Sequence, residues 1–421
     1  MAGLTNASNL RATVAPQRKI LPNLTAARIF AAAWVLIYHA GDENRISRQA
    51  HWYHSWIDGG YLGVSFFFVL SGFILVYNAP AILNPRKFYI LRFARIYPLY
   101  VVSLLCCFPN FLTHSTGPHL RIIGVDLLLI QIWFSSIYRS AINGPAWSLC
   151  AEAFFYLSFP LLLTPLRKSM QHWKLLLVVL AVLAILPASA AHIWLWHTGL
   201  RESAGMIDVL AWPLFRLCEF AIGMILGLLF ISRQSVISGR TTALALLLSL
   251  ATVGLLPYIP YEVMRCGVLA LPFGFLVYCL AGWKSNILAS PPMQLLGEIS
   301  YGVYLLQTPL ALLIGKLVHW GPQLNTILFI TILPVSYLFY LVVDVLGFRR
   351  WAFPFIVIGM NAIAVYMATG LLDFGRMGNV FVGNLAPYLG VWIDFVRACA
   401  AFAIVWLILY WMYRTKSFVR V

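Results

Sequence analysis

Two groups able to do chemistry share one apolar stretch near the start of the chain. Arg28 and His39 lie in a run beginning at about Leu24, with ten residues between them. On a helix, eleven steps of about 1.5 Å set them roughly 16 Å apart along the axis. A guanidinium recognises phosphate oxygens in bidentate geometry. An imidazole accepts a proton near neutral pH. Arg92 and Arg95 open a second apolar run, Phe88–Tyr100 (FYILRFARIYPLY), and their spacing of three puts both on one helix face. With Arg28 they form a candidate pocket for a polyanion; the plainer alternative is that all three anchor helix ends and snorkel. Glu152 sits in Pro145–Pro160 (PAWSLCAEAFFYLSFP), a span rich in aromatic residues. An unpaired buried carboxylate tends to protonate, so it needs a partner or a task. His39 is one sensible partner, because a carboxylate orients an imidazole and raises its basicity; a structural bond to an arginine or a tyrosine is the other. Arg216 and Glu219 are spaced to pair with each other, and Glu298 and Asp344 fall near span ends.

These residues are informative because of where they sit. An ionisable side chain at the centre of a span costs roughly 2.5–3.5 kcal/mol on insertion scales for Arg, Lys or Asp. The 421 residues are 62% hydrophobic and only 10% charged, and the mean hydropathy is +0.85. A water-soluble globule of this size carries roughly a quarter charged residues, so it is excluded. The apolar stretches are continuous rather than alternating, which argues against an outer-membrane barrel. The expected fold class is all-α: a polytopic helical membrane protein. The formal charge of +16 does not indicate nucleic-acid binding, because the positives fall in short runs between apolar segments.

Twelve stretches have the length a crossing helix needs: 24–41, 60–79, 88–112, 145–166, 173–195, 207–231, 242–258, 264–282, 293–316, 324–346, 352–373 and 388–413. The apolar segment 121–136 is short and contains Asp126 and Gln131. If it dips into the membrane without crossing, and the N-terminus is inside, about two thirds of the 29 Lys and Arg gather on the cytoplasmic side. The positive-inside rule then predicts both termini in the cytoplasm. The run from Leu24 reads as a retained first span rather than a cleaved leader. The seven cysteines lie in apolar stretches without metal-ligand spacing, so neither a metal site nor a disulfide framework is expected. In Gly63–Tyr77 (GVSFFFVLSGFILVY), Ser71 and Gly72 are suited to close helix approach.

Taken in order, Arg28-x10-His39, GVSFFFVLSGF at 63–73, Arg92-x-x-Arg95 followed by Ile96-Tyr97-Pro98, WSLCAEAFFYLSFP at 147–160 and Ile299-Ser300-Tyr301 with Tyr304-Leu305 resemble the acyltransferase-three family of integral-membrane O-acyltransferases, over about residues 20–346. The resemblance implies that His39 is the catalytic residue and that Arg28, Arg92 and Arg95 serve acyl-coenzyme A. The family usually has a His where this chain has Gln307, and Glu-x-Pro where it has Asp344 with no following Pro. A glutamine takes up no proton near neutral pH. Residues 354–369 and 411–421 are similar to the closing spans of bacterial relatives of heparan-α-glucosaminide N-acetyltransferase. Two units are therefore expected, a membrane acyltransferase core over 1–346 and an additional C-terminal pair of spans over 347–421.

The expected activity moves an acyl group, acetyl above all, from cytoplasmic acyl-coenzyme A to a hydroxyl of a cell-surface glycan, a glycolipid or a lipid-linked sugar. No metal takes part, the lipids of a bacterial inner membrane surround the protein, and nucleic acid is not a partner. Catalysis is expected from His39 and Glu152, with His39 acting as general base or as acyl relay; Ser71, Trp147 and Ser148 are candidate donors to the oxyanion. The rival class is a secondary transporter of a small polar or anionic solute, since twelve spans with embedded charges also suit a substrate pathway. Against it stand the lack of a two-fold repeat and the gathering of charges in the first half.

Overall fold

A computed structural model describes residues 20–43, 54–79, 83–114, 119–134, 141–198, 211–260, 263–264, 267–317, 322–341 and 374–385, with scattered positions up to 410. Asp344, the expected span 352–373, most of 388–413 and the charged C-terminal tail lie outside the described residues. The described chain is helical: α1 (Pro22–Glu43), α2 (His54–Asp58), α3 (Gly63–Tyr77), α4 (Pro85–His114), α5 (His119–Leu127), α6 (Trp147–Lys168), α7 (Trp173–Thr198), α8 (Pro213–Arg233), α9 (Gly239–Gly254), α10 (Ala270–Gly282), α11 (Pro291–Leu317), α12 (Pro322–Tyr340) and α13 (Phe374–Val382). Six helical stretches among the described residues are long and apolar enough to cross a membrane: Trp56–Tyr77, Pro85–Leu112, Gly144–Lys168, Met170–Trp194, Pro213–Arg233 and Gly239–Tyr258. An all-helical membrane protein accounts for them, because a helix satisfies its own backbone in lipid.

Local sequence sets the helix ends. Pro213 fits the first turn of α8, where its missing N–H leaves nothing unmet, and Gln234 closes the helix in the left-handed region at φ 44°. Ser238 caps α9 by accepting from the Thr241 N–H at 3.1 Å. The segment 121–136 does not form one helix. The nine residues of α5 end in a turn with Leu129 at φ 56°, and a short 3-10 turn, Gln131–Trp133, follows. Nine residues are about half of what a crossing requires.

α3 is apolar all round and lies at the centre, with Phe68 on one buried cluster and Val69 and Phe73 on another. Its contact with α8 is backbone to backbone: a Cβ added at Gly72 would collide with the Phe220 carbonyl, and one at Gly223 with the Val69 carbonyl. The close approach expected around Ser71–Gly72 is thus present, and its partner is the glycine face of α8. α7 and α9 are peripheral, exposing Leu175, Val182, Leu186, Leu244 and Leu247 in the manner of lipid-facing helices.

The ends of several helices meet at one level. Gln294 near the start of α11 donates to the Pro22 carbonyl at 2.9 Å, and Asn23 donates to the Trp283 carbonyl, just past α10, at 2.6 Å. Gly297 fits against the Thr25 carbonyl. Both α11 contacts have one register, residue 22 beside 294 and 25 beside 297, so α1 and α11 run parallel from the same face.

Candidate functional site

α1 is uninterrupted from Pro22 to Glu43 and carries both Arg28 and His39. Eleven residues at about 100° each come to three turns plus about 20°, so the two side chains leave the same face. His39 is half-buried in the last turns of the helix, its ring edge-on to Tyr38 at 5.1 Å between centroids. Tyr38 stands edge-on to Tyr61 at 5.7 Å, and the Trp34 indole N–H donates to the Trp56 carbonyl at 2.6 Å. The segment 54–63 is thus folded onto the part of α1 that carries His39.

The expected arginines and Glu152 come together lower down. Arg28 interacts electrostatically with Arg95, Glu152, Tyr156 and Glu298. The Tyr156 hydroxyl donates to Glu152 Oε1. Arg92 lies over the Phe88 ring at 5.6 Å and the Tyr156 ring at 6.0 Å, and is half-buried, whereas Arg95 is exposed. Tyr301 interacts with Glu152, Tyr156 and Arg95, and its hydroxyl donates to the Ile96 carbonyl at 2.8 Å. Four helices therefore contribute to one cluster in which Glu152 stands at the depth of Arg28, about three turns below His39. Opposite charges held together in low dielectric attract far more strongly than in water. Three cations around the two carboxylates of Glu152 and Glu298 leave a net positive centre suited to an anion.

Polar contacts above the arginine level fasten the segment between α5 and α6. The Tyr100 hydroxyl donates to the Asp126 carbonyl at 2.7 Å and the Tyr97 hydroxyl to the Leu127 carbonyl at 2.8 Å. Asp126 Oδ2 accepts from the Ile142 N–H at 2.8 Å. Asn143 Nδ2 donates to Ser103 Oγ at 3.0 Å and to the Leu305 carbonyl at 3.2 Å. Tyr304 donates to the Pro145 carbonyl at 2.9 Å, and Ser148 Oγ lies 2.7 Å from its hydroxyl. Irregular backbone at membrane depth persists where protein groups satisfy it. Gln307 is buried in this layer and donates to the Tyr304 carbonyl at 2.8 Å. Extending the α1–α11 register puts it beside Val35, one turn below His39. Sequence reasoning missed Tyr156, Tyr301 and Tyr304 as members of the site. The signal was present, since each falls one helical turn from a named residue or from another tyrosine.

Arg216 and Glu219 pair as their spacing indicates, at 3.1 Å, both nearly inaccessible. Arg216 also donates to Ser65 Oγ on α3 at 2.8 Å, and Glu219 Oε1 accepts from the Gly267 N–H at 3.2 Å. The pair ties α8 to α3 and to the approach to α10. At the level where α1 and α11 begin, a cavity of about 1180 Å³ opens between the ends of α1, α3, α4, α8 and α10. Arg92 lines it; Arg28 and Arg95 do not.

A helical membrane protein with a cationic cluster beneath a histidine, and a large cavity at one face, has the parts to bring an anionic carrier to a proton acceptor inside the bilayer. The sequence comparisons give that class a family. Residues 21–343 match the acyltransferase domain of the acyltransferase-three family, and the chain belongs to that family of acyl-group-transferring enzymes. It is 30% identical over 311 residues to the acyltransferase MdmB of Streptomyces mycarofaciens, covering 68% of this chain and 77% of the relative. It is 27% identical over 338 residues to the peptidoglycan O-acetyltransferase OatA of Listeria monocytogenes, covering 72% of this chain and 51% of the relative. The chain thus spans about half the length of that peptidoglycan enzyme. No solved structure matches it. An enzyme of this family, not a transporter, is what the matches support.

Proposed function

We propose that this enzyme transfers an acyl group, acetyl above all, from acyl-coenzyme A on the cytoplasmic side of a bacterial inner membrane to a hydroxyl of a cell-surface glycan or glycolipid. The observation that carries the proposal is the alignment of Arg28 and His39 on one face of α1, with Arg92, Arg95 and Glu152 gathered at the lower level. The phosphates of the donor bind at the arginines, and the pantetheine arm covers the roughly 16 Å up to His39. His39 removes the proton from the acceptor hydroxyl as its oxygen attacks the thioester carbonyl. The tetrahedral intermediate collapses with cleavage of the carbon–sulfur bond, and the leaving thiolate takes the proton back from the imidazolium. General-base catalysis supplies about 10²–10⁴-fold, and positioning and oxyanion stabilisation supply the rest. Glu152, set among the arginines, acts by positioning them around the donor.

Twelve crossings with both termini in the cytoplasm complete the reading: the helix ends around the cavity then face the donor, and His39 lies toward the acceptor. The peptidoglycan O-acetyltransferase relative supports a glycan acceptor and an acetyl group. Mass spectrometry of surface glycans from cells with and without the gene tests the reaction. Ester-linked acyl groups that disappear with the gene are expected, and identical glycans in both strains would refute the acceptor class.

A further inference from the structure

The cavity of about 1180 Å³ is larger than the roughly 300–1,000 Å³ of ordinary small-molecule sites. Its cations stand on two walls. On α4, Lys87 and Arg92 lie five residues apart; beyond the end of α10, Lys284 stands alone. Among the described residues neither Lys87 nor Lys284 has an acidic partner. The Lys284 wall also carries the groups a nucleoside requires, namely the Trp283 indole and the Gln234, Ser285 and Asn286 side chains. The α4 wall leads elsewhere. Arg92 is about 7 Å along the helix from Lys87 and is the cation that both lines the cavity and contacts Tyr156 in the Arg28–Glu152 cluster.

We infer that this cavity is a binding site for a nucleoside diphosphate bearing a further 3′-phosphate. The diphosphate lies on Lys87 and Arg92, where the cavity meets the cluster of Arg28 and Arg95, and the adenosine lies on the second wall with its 3′-phosphate on Lys284. The inference rests on the acyl-coenzyme A reading and adds to it the residues that read the nucleotide end. The chemistry fixes the orientation. In coenzyme A the diphosphate separates the adenosine from the pantetheine arm, so it belongs on the wall that continues toward His39. A lysine is a compact, hydrated point charge and serves a phosphate monoester at an open rim, whereas arginine suits the deeper position.

The test is equilibrium binding of tritiated coenzyme A, with 3′-dephospho-coenzyme A as competitor, to the purified full-length protein in nanodiscs of phosphatidylcholine. Wild-type protein is expected to prefer coenzyme A over the dephospho form by about tenfold, one charge-assisted contact being about that strong. Lys284→Gln is expected to erase this preference while leaving the affinity for the dephospho form unchanged, which also certifies that the variant is folded. Lys87→Gln is expected to weaken both ligands equally, and Lys168→Gln, a cation outside the cavity, to weaken neither. A Lys284→Gln protein that keeps the wild-type preference would overturn the inference and leave the donor reading intact. Wild-type protein that binds neither ligand would overturn the donor reading, and this assignment with it.

Discussion

Replacing Glu219 by alanine is expected to destabilise the folded protein by about 3–5 kcal/mol, the range for removing one partner of a buried ion pair. Both side chains are almost fully enclosed, at 3% and 1% exposure, and their charged atoms are 3.1 Å apart. Without the carboxylate, the Arg216 guanidinium retains Ser65 Oγ at 2.8 Å and the Phe68 ring at 5.3 Å, and neither neutralises its charge. The Gly267 N–H also loses its acceptor, a further cost of about 1–3 kcal/mol within that loss. Glu219→Gln keeps an oxygen for Gly267 and is expected to fall between wild type and alanine. The double substitution Arg216→Met with Glu219→Leu removes both charges and is expected to be more stable than Glu219→Ala, the Gly267 N–H still lacking its acceptor. Reversible unfolding in mixed micelles by titrated SDS measures all four proteins. A loss below about 1 kcal/mol for Glu219→Ala, or a double variant as unstable as Glu219→Ala, would refute the account of this pair as a coupled structural tie.

Gly223→Ala is expected to cost about 1–3 kcal/mol, because the added methyl meets the Val69 carbonyl; Gly124→Ala meets nothing within 4 Å and serves as the control, both read by thermal unfolding in detergent. Tyr156→Phe keeps the ring beneath Arg92 and removes the hydroxyl that binds Glu152. It is expected to raise KM for acetyl-coenzyme A about tenfold with kcat little changed, and a fall in kcat alone would contradict a positioning role. Asn143→Leu loses the bonds to Ser103 and Leu305 and is expected to lower stability by about 1–3 kcal/mol, with faster proteolysis between α5 and α6 as the readout.

Much of this was legible in the sequence because the determinants are local. The i,i+3 spacing of Arg216 and Glu219 specifies their pair, and the small residues at 71–72 mark a close helix approach without naming the partner. Glu152 shows what spacing does not supply. Its carboxylate can serve an imidazole or a guanidinium, and only the packing of α1, α4, α6 and α11 sets it among arginines. The segment 121–136 could be judged too short to cross, but its anchoring by Tyr97, Tyr100 and Asn143 depends on contacts between residues up to 162 positions apart. Lys87 and Lys284 read as ordinary cytoplasmic charge, and only the fold brings them to one cavity.

The central claim is that His39 performs acyl transfer fed from the arginine side. The most direct measurement follows free thiol release from acetyl-coenzyme A by purified protein with a glycan acceptor, comparing wild type with His39→Gln. Glutamine preserves much of the size and hydrogen bonding of the imidazole but accepts no proton. Acceptor-dependent thiol release by the wild type, and its loss in an equally stable His39→Gln protein, is the predicted result. Full turnover by the His39→Gln protein would contradict it.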